Sequence, residues 1–460
     1  MSAPPPPDAT DDLHPRLWAE TVRRDDRGRL IVGGVDVLAL AEEFGTPAYV
    51  LDEQDFRSRA AAFRTAFATA FAQVSGGADV YYAGKAFLCS AVARWVEEEG
   101  LGLDVCTGGE LAVAQRAGFP GARLTLHGNN KSVTELRQAL QYDVGRVVVD
   151  SLTEIDRLAQ VASELGVRAR VLVRVTVGVE AHTHEFIATA HEDQKFGFSL
   201  AGGAAQEAVE RVLHHRDNLE LLGLHSHIGS QIMDTAGFEV AASRLIGFHD
   251  RISRQHGILL PELDLGGGFG IAYTPEDDPL SPAELAESLA AAVDRELTAL
   301  GDVLRPRISV EPGRAIAGPS TFTLYEVGTV KRVTLEDGST RTYVAVDGGM
   351  SDNIRPALYG ADYTCVLASR CSDAPTTRAR VVGRHCESGD ILVRDTELPA
   401  DLVPGDLLAV AATGAYCRSL SNQYNHTPRP PVISVLDGRA RVIVRRETVE
   451  DLLALDVDES

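Results

Sequence analysis

One pattern recurs along about half of the chain, from about residue 80 to residue 315: a short apolar run, a helix-capping residue, an amphipathic helix, and then another apolar run. Apolar strands with a helix between successive strands form a parallel sheet that is covered on both faces. Eight such units favour a closed (β/α)8 barrel of the TIM type over an open doubly wound sheet. The predicted strands are Val80–Ala83, Leu103–Cys106, Leu124–His127, Val147–Asp150, Arg170–Val175, Leu221–His225, Leu263–Leu265 and Ile308–Glu311.

Three tetrapeptides mark helix starts within this pattern. Thr107-Gly-Gly-Glu110, Ser132-Val-Thr-Glu135 and Ser151-Leu-Thr-Glu154 fit the capping box, in which a hydroxyl and a glutamate satisfy free N–H groups of the first turn. Gly166 suits the end of the helix that follows Ser151. The spacing therefore predicts helices directly after three of the strands.

After Gly318 the pattern changes to short β runs that are broken by Gly, Pro and Asp, which predicts an antiparallel β-sandwich or β-barrel domain. Its strands are predicted at Thr321–Val333, Thr342–Val346, Ala379–Gly383, Leu407–Ala411 and Val432–Leu436. We thus expect a disordered Pro-rich head (1–14), a β segment that joins the C-terminal domain (15–46), the barrel (47–318), the β domain (319–450) and an acidic tail (451–460).

The charge balance limits the partners. The 460 residues include 44 Lys and Arg against 66 Asp and Glu, a net charge of −22, whereas nucleic acids and anionic membranes require a basic face. The six cysteines show no CxxC spacing, and neither a secretory signal nor a long apolar run is present. A cytoplasmic protein with a small-molecule ligand is therefore expected.

Polar residues end several of the predicted barrel strands, where the functional groups of such barrels lie. They are Lys85, the run His225-Ser-His227-Ile-Gly-Ser230, the run Gly266-Gly-Gly268 and the run Glu311-Pro-Gly313-Arg314. Taken singly, the lysine could be a solvated loop residue and the glycines an ordinary tight turn. Together, glycine N–H groups, the Ser230 hydroxyl and the Arg314 guanidinium predict a binding site for an anion such as phosphate.

The remaining motifs give weaker signals. His182, His184 and His191 lie close in sequence, but their spacing matches no zinc pattern, so no metal site is predicted. In the β domain, Cys386-Glu387-Ser-Gly-Asp390 and Thr413-Gly-Ala-Tyr416 are polar turns, and either could be only a hairpin.

Taken in order, six of these motifs resemble the fold-type III pyridoxal-phosphate decarboxylases, which pair an alanine-racemase-like barrel with a C-terminal β domain. The segment Asp347-Gly-Gly-Met-Ser-Asp-Asn-Ile-Arg355-Pro-Ala-Leu-Tyr359 is similar to the diaminopimelate decarboxylase group, and the resemblance covers about residues 30 to 447. It rests on the segments Tyr82–Lys85, His227–Gln231, Gly266–Gly268, Glu311–Arg314, Cys386–Asp390 and Gly414–Tyr416.

The resemblance implies a role for each matching residue. Lys85 would link to pyridoxal 5'-phosphate, His227 would stack on its ring, and Glu311 would pair with its protonated ring nitrogen. The remaining cofactor contacts would be Ser230, Gly268, Gly313, Arg314 and Tyr416. Cys386 would be the proton donor, supplied by the partner subunit of a homodimer. The substrate would be held by Arg314, Arg355, Tyr359, Glu387 and Tyr416.

The reaction that the resemblance implies is decarboxylation of meso-2,6-diaminopimelate at its D-centre to give L-lysine and CO2. Three other functions are compatible with the same fold: a related decarboxylase for ornithine, arginine or a carboxylated polyamine, an amino-acid racemase, and an inactive homologue. Arg355 disfavours the first, because a guanidinium suits a distal carboxylate. Glu311 disfavours the racemase, and the presence of both Lys85 and Cys386 disfavours the inactive homologue.

Overall fold

The computed structural model describes residues 13–179, 195–301 and 305–457. His182, His184 and His191 lie outside these residues, as do most of the predicted head and the end of the acidic tail. The chain forms two compact units. The barrel unit comprises 57–270 and 278–316, and the second unit comprises the described residues up to Phe56, 271–277 and those from Ala317 onward. Within the described residues, no helix combines the length and apolar character that crossing a bilayer requires.

The barrel is built from eight parallel strands that close on themselves. Each predicted strand is present at its predicted position, so the (β/α)8 prediction is confirmed. The N-terminal elements that precede it are β1 (Arg23–Arg24), β2 (Leu30–Val32), β3 (Val35–Asp36), α1 (Val37–Phe44), β4 (Ala48–Asp52) and α2 (Glu53–Phe71). The barrel strands are β5 (Ala78–Ala83), β6 (Gly102–Val105), β7 (Leu124–Leu126), β8 (Arg146–Val149), β9 (Ala169–Thr176), β11 (Leu219–His225), β12 (Glu262–Asp264) and β13 (Arg307–Val310), and β10 (Phe198–Ser199) pairs with β9.

Helices follow the strands of the barrel. They are α3 (Ser90–Glu98), α4 (Gly108–Ala117), α5 (Val133–Gln141), α6 (Leu152–Leu165), α7 (Ala204–His214), α8 (Ala236–His256), α9 (Pro282–Leu300) and α10 (Arg314–Ala317), with a 3₁₀ turn at Gly121–Arg123. Parallel strands require such crossovers, since a tight turn joins only antiparallel neighbours.

Of the three predicted capping boxes, one forms in full. Ser132 accepts from the N–H of Glu135, and the Glu135 carboxylate accepts from the N–H of Ser132. The serine and threonine caps of α4 and α6 also form, but Glu110 and Glu154 reach one residue further back, to the N–H groups of Cys106 and Asp150. The prediction was therefore wrong for half of each of these two boxes, because each glutamate accepts from the residue before the cap and not from the cap itself.

The second unit contains β14 (Thr321–Thr334), β15 (Thr340–Val346), α11 (Arg355–Tyr359), β16 (Cys365–Leu367), β17 (Thr376–Val382), β18 (Ile391–Pro399), β19 (Leu407–Val410), β20 (Val432–Leu436), β21 (Arg439–Val444) and α12 (Val449–Leu453), with 3₁₀ turns at Arg418–Leu420 and Tyr424–His426. The first half of the long strand β14 pairs with β4 and β19, and its second half pairs with β15. One strand thus belongs to both layers of a sandwich-like arrangement.

The predicted β domain is present and sandwich-like, but its sheets are mixed rather than strictly antiparallel. Strand β20 pairs with β4 in parallel, and β15 pairs with β17 in parallel. Both parallel pairs join strands that are not connected by a tight turn, because a long segment separates each pair in sequence. Ala48–Asp52, which begins the range assigned to the barrel from sequence, pairs with β14 and β20. The hydrophobic core around this strand includes Val32, Val37, Val50, Phe322 and Ile433.

Candidate active site

Two histidines contact the carboxylate of Glu311 at the C-terminal ends of the barrel strands. Its Oε1 atom lies 3.2 Å from Nε2 of His127 and 3.1 Å from Nε2 of His225. Glu311 follows β13, His127 follows β7, and His225 ends β11, so three separate strand ends deliver the three side chains. Glu311 is 7% exposed and His225 is 1% exposed.

The two histidines differ in charge. Burial opposes protonation of His127, but the charges of Glu311 and Asp104 outweigh it and raise its pKa to about 10. At His225 burial prevails and lowers the pKa to about 4. Although burial alone would raise the pKa of Glu311, His127 and His225 hold it well below its usual range. The group is thus an anionic carboxylate between a cationic and a neutral imidazole.

Two further acids surround this group. Asp104, at the end of β6, lies 3.6 Å from Nε2 of His127 through Oδ1. Burial and the charge of Glu311 raise the pKa of Asp104 to about 6, and they raise that of Asp264, on β12, well above its usual range. His127, His225 and Glu311 also offer ligand atoms within 4.8 Å of one another, a spacing that would suit a metal ion. That the protein has no metal site therefore stays a prediction.

The loop after β12 packs so closely against the loops after β11 and β13 that only glycine fits at two of its positions. A Cβ on Gly268, whose φ is +111°, would lie 2.3 Å from the carbonyl oxygen of Gly229. A Cβ on Gly267 would lie 2.1 Å from that of Glu311. The N–H of Gly267 donates to Nδ1 of His227 at 3.3 Å, while burial lowers the pKa of His227 well below its usual value. His227 is therefore neutral, with its proton on Nε2.

The predicted anion-binding residues come together in the same unit. The Arg314 guanidinium donates to Oγ of Ser230 at 2.7 Å. A Cβ on Gly313 would lie 2.8 Å from the carbonyl oxygen of Ala83, so Gly313 lets the loop after β13 pass close to the end of β5. A guanidinium, a hydroxyl and glycine backbone fit a phosphate group, because they supply charge-assisted donors with free approach to the backbone.

Lys85 stands directly after β5 and is exposed. It is close enough for its positive charge to contribute, after burial, to the lowered pKa of His227. The same charge opposes the effect of burial on the pKa of Asp104. A lysine, a neutral histidine, an anionic carboxylate and the predicted anion-binding residues therefore lie at one end of the barrel.

The other predicted site residues belong to the second unit. Arg355 begins α11 and is 6% exposed, with its Cζ atom 4.6 Å from the ring centroid of Tyr273 and 5.6 Å from that of Tyr363. Its guanidinium donates to the hydroxyl of Tyr363. Among the described residues no carboxylate lies within ion-pair distance of it. A buried arginine in this state is suited to bind a carboxylate from a ligand.

Cys386 and Glu387 are exposed on the loop between β17 and β18, while Tyr359 and Tyr416 are half-buried. Tyr416 has a φ of +61°, a left-handed conformation that is uncommon outside glycine and often occurs at functional sites. The structure thus divides the predicted residues between its two units and brings together those of the barrel.

The sequence interpretation missed His127 and Asp104 as members of the site, and it named His225 in a polar strand-end run without giving it a role. Each of the three lies at a strand end that was predicted. That position is the signal that would have found them, because polar residues at the C-terminal ends of barrel strands face the site.

Comparison with known proteins identifies the family. The protein-family model that describes the pyridoxal-binding domain of pyridoxal-dependent decarboxylases matches residues 54–318. Diaminopimelate decarboxylase of Mycobacterium tuberculosis is 59% identical over 449 residues, which cover 97% of this chain and 98% of the relative. That of Bacillus subtilis is 47% identical over 437 residues, 95% of this chain and 97% of the relative. The solved structure of the M. jannaschii diaminopimelate decarboxylase in co-complex with L-lysine matches with a TM-score of 0.88 at 31% identity, covering 96% of this chain and 99% of that one. With these relatives spanning nearly its full length, the chain belongs to the diaminopimelate decarboxylase family of pyridoxal-dependent decarboxylases.

Proposed function

We propose that this chain decarboxylates meso-2,6-diaminopimelate at its D-centre, giving L-lysine and CO2, with pyridoxal phosphate as cofactor. The observation that carries the choice of substrate is Arg355. Its buried guanidinium lies against two tyrosine rings and has no carboxylate partner among the described residues. Diaminopimelate has a distal carboxylate, whereas ornithine has only an amine at that end. The names of the relatives support the same substrate.

The barrel residues fit the cofactor. When bound there, pyridoxal phosphate would supply an electron sink for the charge that decarboxylation leaves on the substrate carbon. Glu311 is anionic and buried, so it suits a protonated ring nitrogen. Neutral His227 offers a flat apolar face for stacking, and Lys85 offers its amino group for the covalent link. Phosphate would bind to the set formed by Ser230, Gly268, Gly313, Arg314 and Tyr416.

After CO2 has left, the substrate carbon needs a proton, and we assign its delivery to Cys386. The Cys386 thiol is exposed on a loop of the second unit. It suits this role if that loop completes the active site of a partner subunit. Arg355, Tyr359, Arg314 and Tyr416 would hold the distal end of the substrate through charge-assisted and hydroxyl hydrogen bonds. Glu387 would take the distal ammonium group.

We further propose a homodimer with two shared sites, each with Lys85 from one subunit and Cys386 from the other. A cytoplasmic location also stays a proposal, supported by six cysteines that form no disulfide.

A CO2-release assay with purified protein tests the substrate assignment. We expect turnover of meso-diaminopimelate, dependent on pyridoxal phosphate, and chiral analysis should find only L-lysine. Ornithine, arginine and L-lysine serve as competing substrates. Faster release of CO2 from ornithine would reject diaminopimelate as the substrate, and inversion of an amino acid without CO2 release would indicate a racemase.

A further inference from the structure

Asp390 joins the loop that carries Cys386 to the loop that leads to Arg355. It is 3% exposed and ends the turn between β17 and β18. Its Oδ2 atom accepts the N–H of His385 at 2.8 Å, within its own loop. Its Oδ1 atom accepts the N–H of Met350 at 2.6 Å, in the loop between β15 and α11. One buried carboxylate therefore binds both loops through their backbones.

Two glycines make room for this carboxylate. A Cβ on Gly383 would lie 2.2 Å from Oδ2 of Asp390, and a Cβ on Gly349 would lie 2.7 Å from either oxygen. Neither distance is compatible with a side chain unless Asp390 moves. The backbone on both sides is thus shaped around the Asp390 side chain.

Other hydrogen bonds link the same two loops. Nε2 of His385 and Oγ of Ser351 are 2.8 Å apart, and the N–H of Arg384 donates to the carbonyl oxygen of Gly348 at 3.0 Å. His385 directly precedes Cys386, so the restraint acts next to the thiol.

We propose that Asp390 is a positioning residue, which fixes the Cys386 loop relative to the Arg355 loop; the consequence for catalysis rests on the proposed function. A proton donor and a substrate-binding arginine must each be placed to within about 1 Å for efficient turnover. Asp390 contacts neither the reacting atoms nor the cofactor in this proposal. It acts through the two loops that it holds.

The test compares the holoenzyme with the variants Asp390→Asn and Asp395→Asn. Asparagine keeps the shape of Asp390 but points an NH2 group at one of two backbone donors, so one hydrogen bond is lost. Asp395 is an exposed carboxylate on β18 and serves as the matched control. The first readout is the alkylation rate of each cysteine, followed by mass spectrometry, with exposed Cys371 as the internal reference. The second is kcat and KM for meso-diaminopimelate, alongside cofactor affinity.

In Asp390→Asn we expect alkylation of Cys386 to accelerate at least about threefold with the Cys371 rate unchanged, because the loop opens more often. We expect kcat/KM to fall by about tenfold to a hundredfold, with contributions from both kcat and KM and with cofactor affinity retained. Asp395→Asn should match the wild type in every measurement.

An unchanged Cys386 rate in a folded Asp390→Asn variant overturns the proposal. If that variant does not fold, Ser351→Ala decides, since it removes only the link to His385: a Cys386 rate equal to the wild type overturns the proposal, and a faster rate supports it. The alkylation result does not depend on turnover. A wild-type enzyme without diaminopimelate decarboxylase activity would therefore reject the proposed function and leave the loop restraint decided separately.

Discussion

His127 and Glu311 form an ion pair, in which Nε2 of the imidazole lies 3.2 Å from Oε1 of the carboxylate. Oδ1 of Asp104 lies 3.6 Å from the same nitrogen. The pair lies at the ends of β7 and β13. His225 approaches the same Oε1 atom from β11. Both histidines therefore approach Glu311 through the same carboxylate oxygen.

This pair makes stability depend on pH. The pKa of His127 is raised from 6.5 to about 10, so its contribution is complete below pH 6.5 and is lost as pH rises toward 10. We expect the thermal midpoint of the cofactor-free protein to fall between pH 7 and pH 10 by at least about 1 °C, roughly 1 kcal/mol for a chain of this length. In His127→Asn this alkaline decrease should be smaller.

His225→Asn is the matched control for that experiment. Burial lowers the pKa of His225 to about 4. Its contribution to the free energy of unfolding is therefore lost at acid pH, as pH falls from 6.5 toward 4. This variant should keep the alkaline decrease of the wild type. Identical alkaline slopes in the wild type and His127→Asn would contradict the charge assigned to His127.

Lys85→Ala should abolish the visible absorbance of the lysine-linked cofactor and all turnover, because no other exposed amine is expected at the site. Borohydride reduction of the wild type should attach the cofactor to the Lys85 peptide. Lys131 serves as an internal comparison, since its amino group is buried and binds Glu154. Label on Lys131 or Lys195 would show that the lysine was assigned wrongly.

Arg355→Ala should leave cofactor binding intact and lower kcat/KM for diaminopimelate. The decrease should correspond to about 1.5–3 kcal/mol of lost transition-state stabilisation, since a charge-assisted hydrogen bond to the substrate is lost. Arg378→Ala is the control, an exposed arginine that pairs with Asp395. Steady-state kinetics with both variants measure the difference. Equal kcat/KM values in Arg355→Ala and the wild type would remove Arg355 from the substrate site.

Subunit exchange tests the shared site. Lys85→Ala and Cys386→Ala should each be inactive alone, because every site then lacks one of the two groups. After random exchange, half of the dimers are mixed, and each mixed dimer has one site without either lesion, so about 25% of wild-type activity should return. A mixture that stays inactive, with exchange confirmed by mass spectrometry, would place both residues in one chain.

The buried ion pair between Lys131 and Glu154 should be costly to break. Nζ of Lys131 lies 2.6 Å from Oε1 of Glu154 and donates to the carbonyl oxygens of Gly128 and Val148 at 2.7 Å each. Glu154→Ala should lower the free energy of unfolding by about 3–5 kcal/mol, since it leaves a buried charge unpaired. Glu164→Ala, which removes the exposed partner of Arg137, should leave the midpoint of the same denaturant titration nearly unchanged.

The sequence by itself determined the local features of this protein. Periodic apolar residues fixed the eight barrel strands, and capping residues fixed helix starts such as that of α5 after Ser132. The polar residues at strand ends identified Lys85, His227 and Glu311 as site candidates. These features are readable because each depends on residues a few positions apart, where burial and backbone hydrogen bonding leave a regular pattern.

Only the tertiary structure decided which distant residues meet. Val50 lies on a strand that pairs with both β14 and β20, a choice made by long-range pairing that no local pattern records. In the same way, His127 and His225 are two strand-end histidines in sequence, and barrel closure brings both to one oxygen of Glu311. Their charges differ because burial and neighbouring carboxylates differ at the two positions, and both depend on the complete fold.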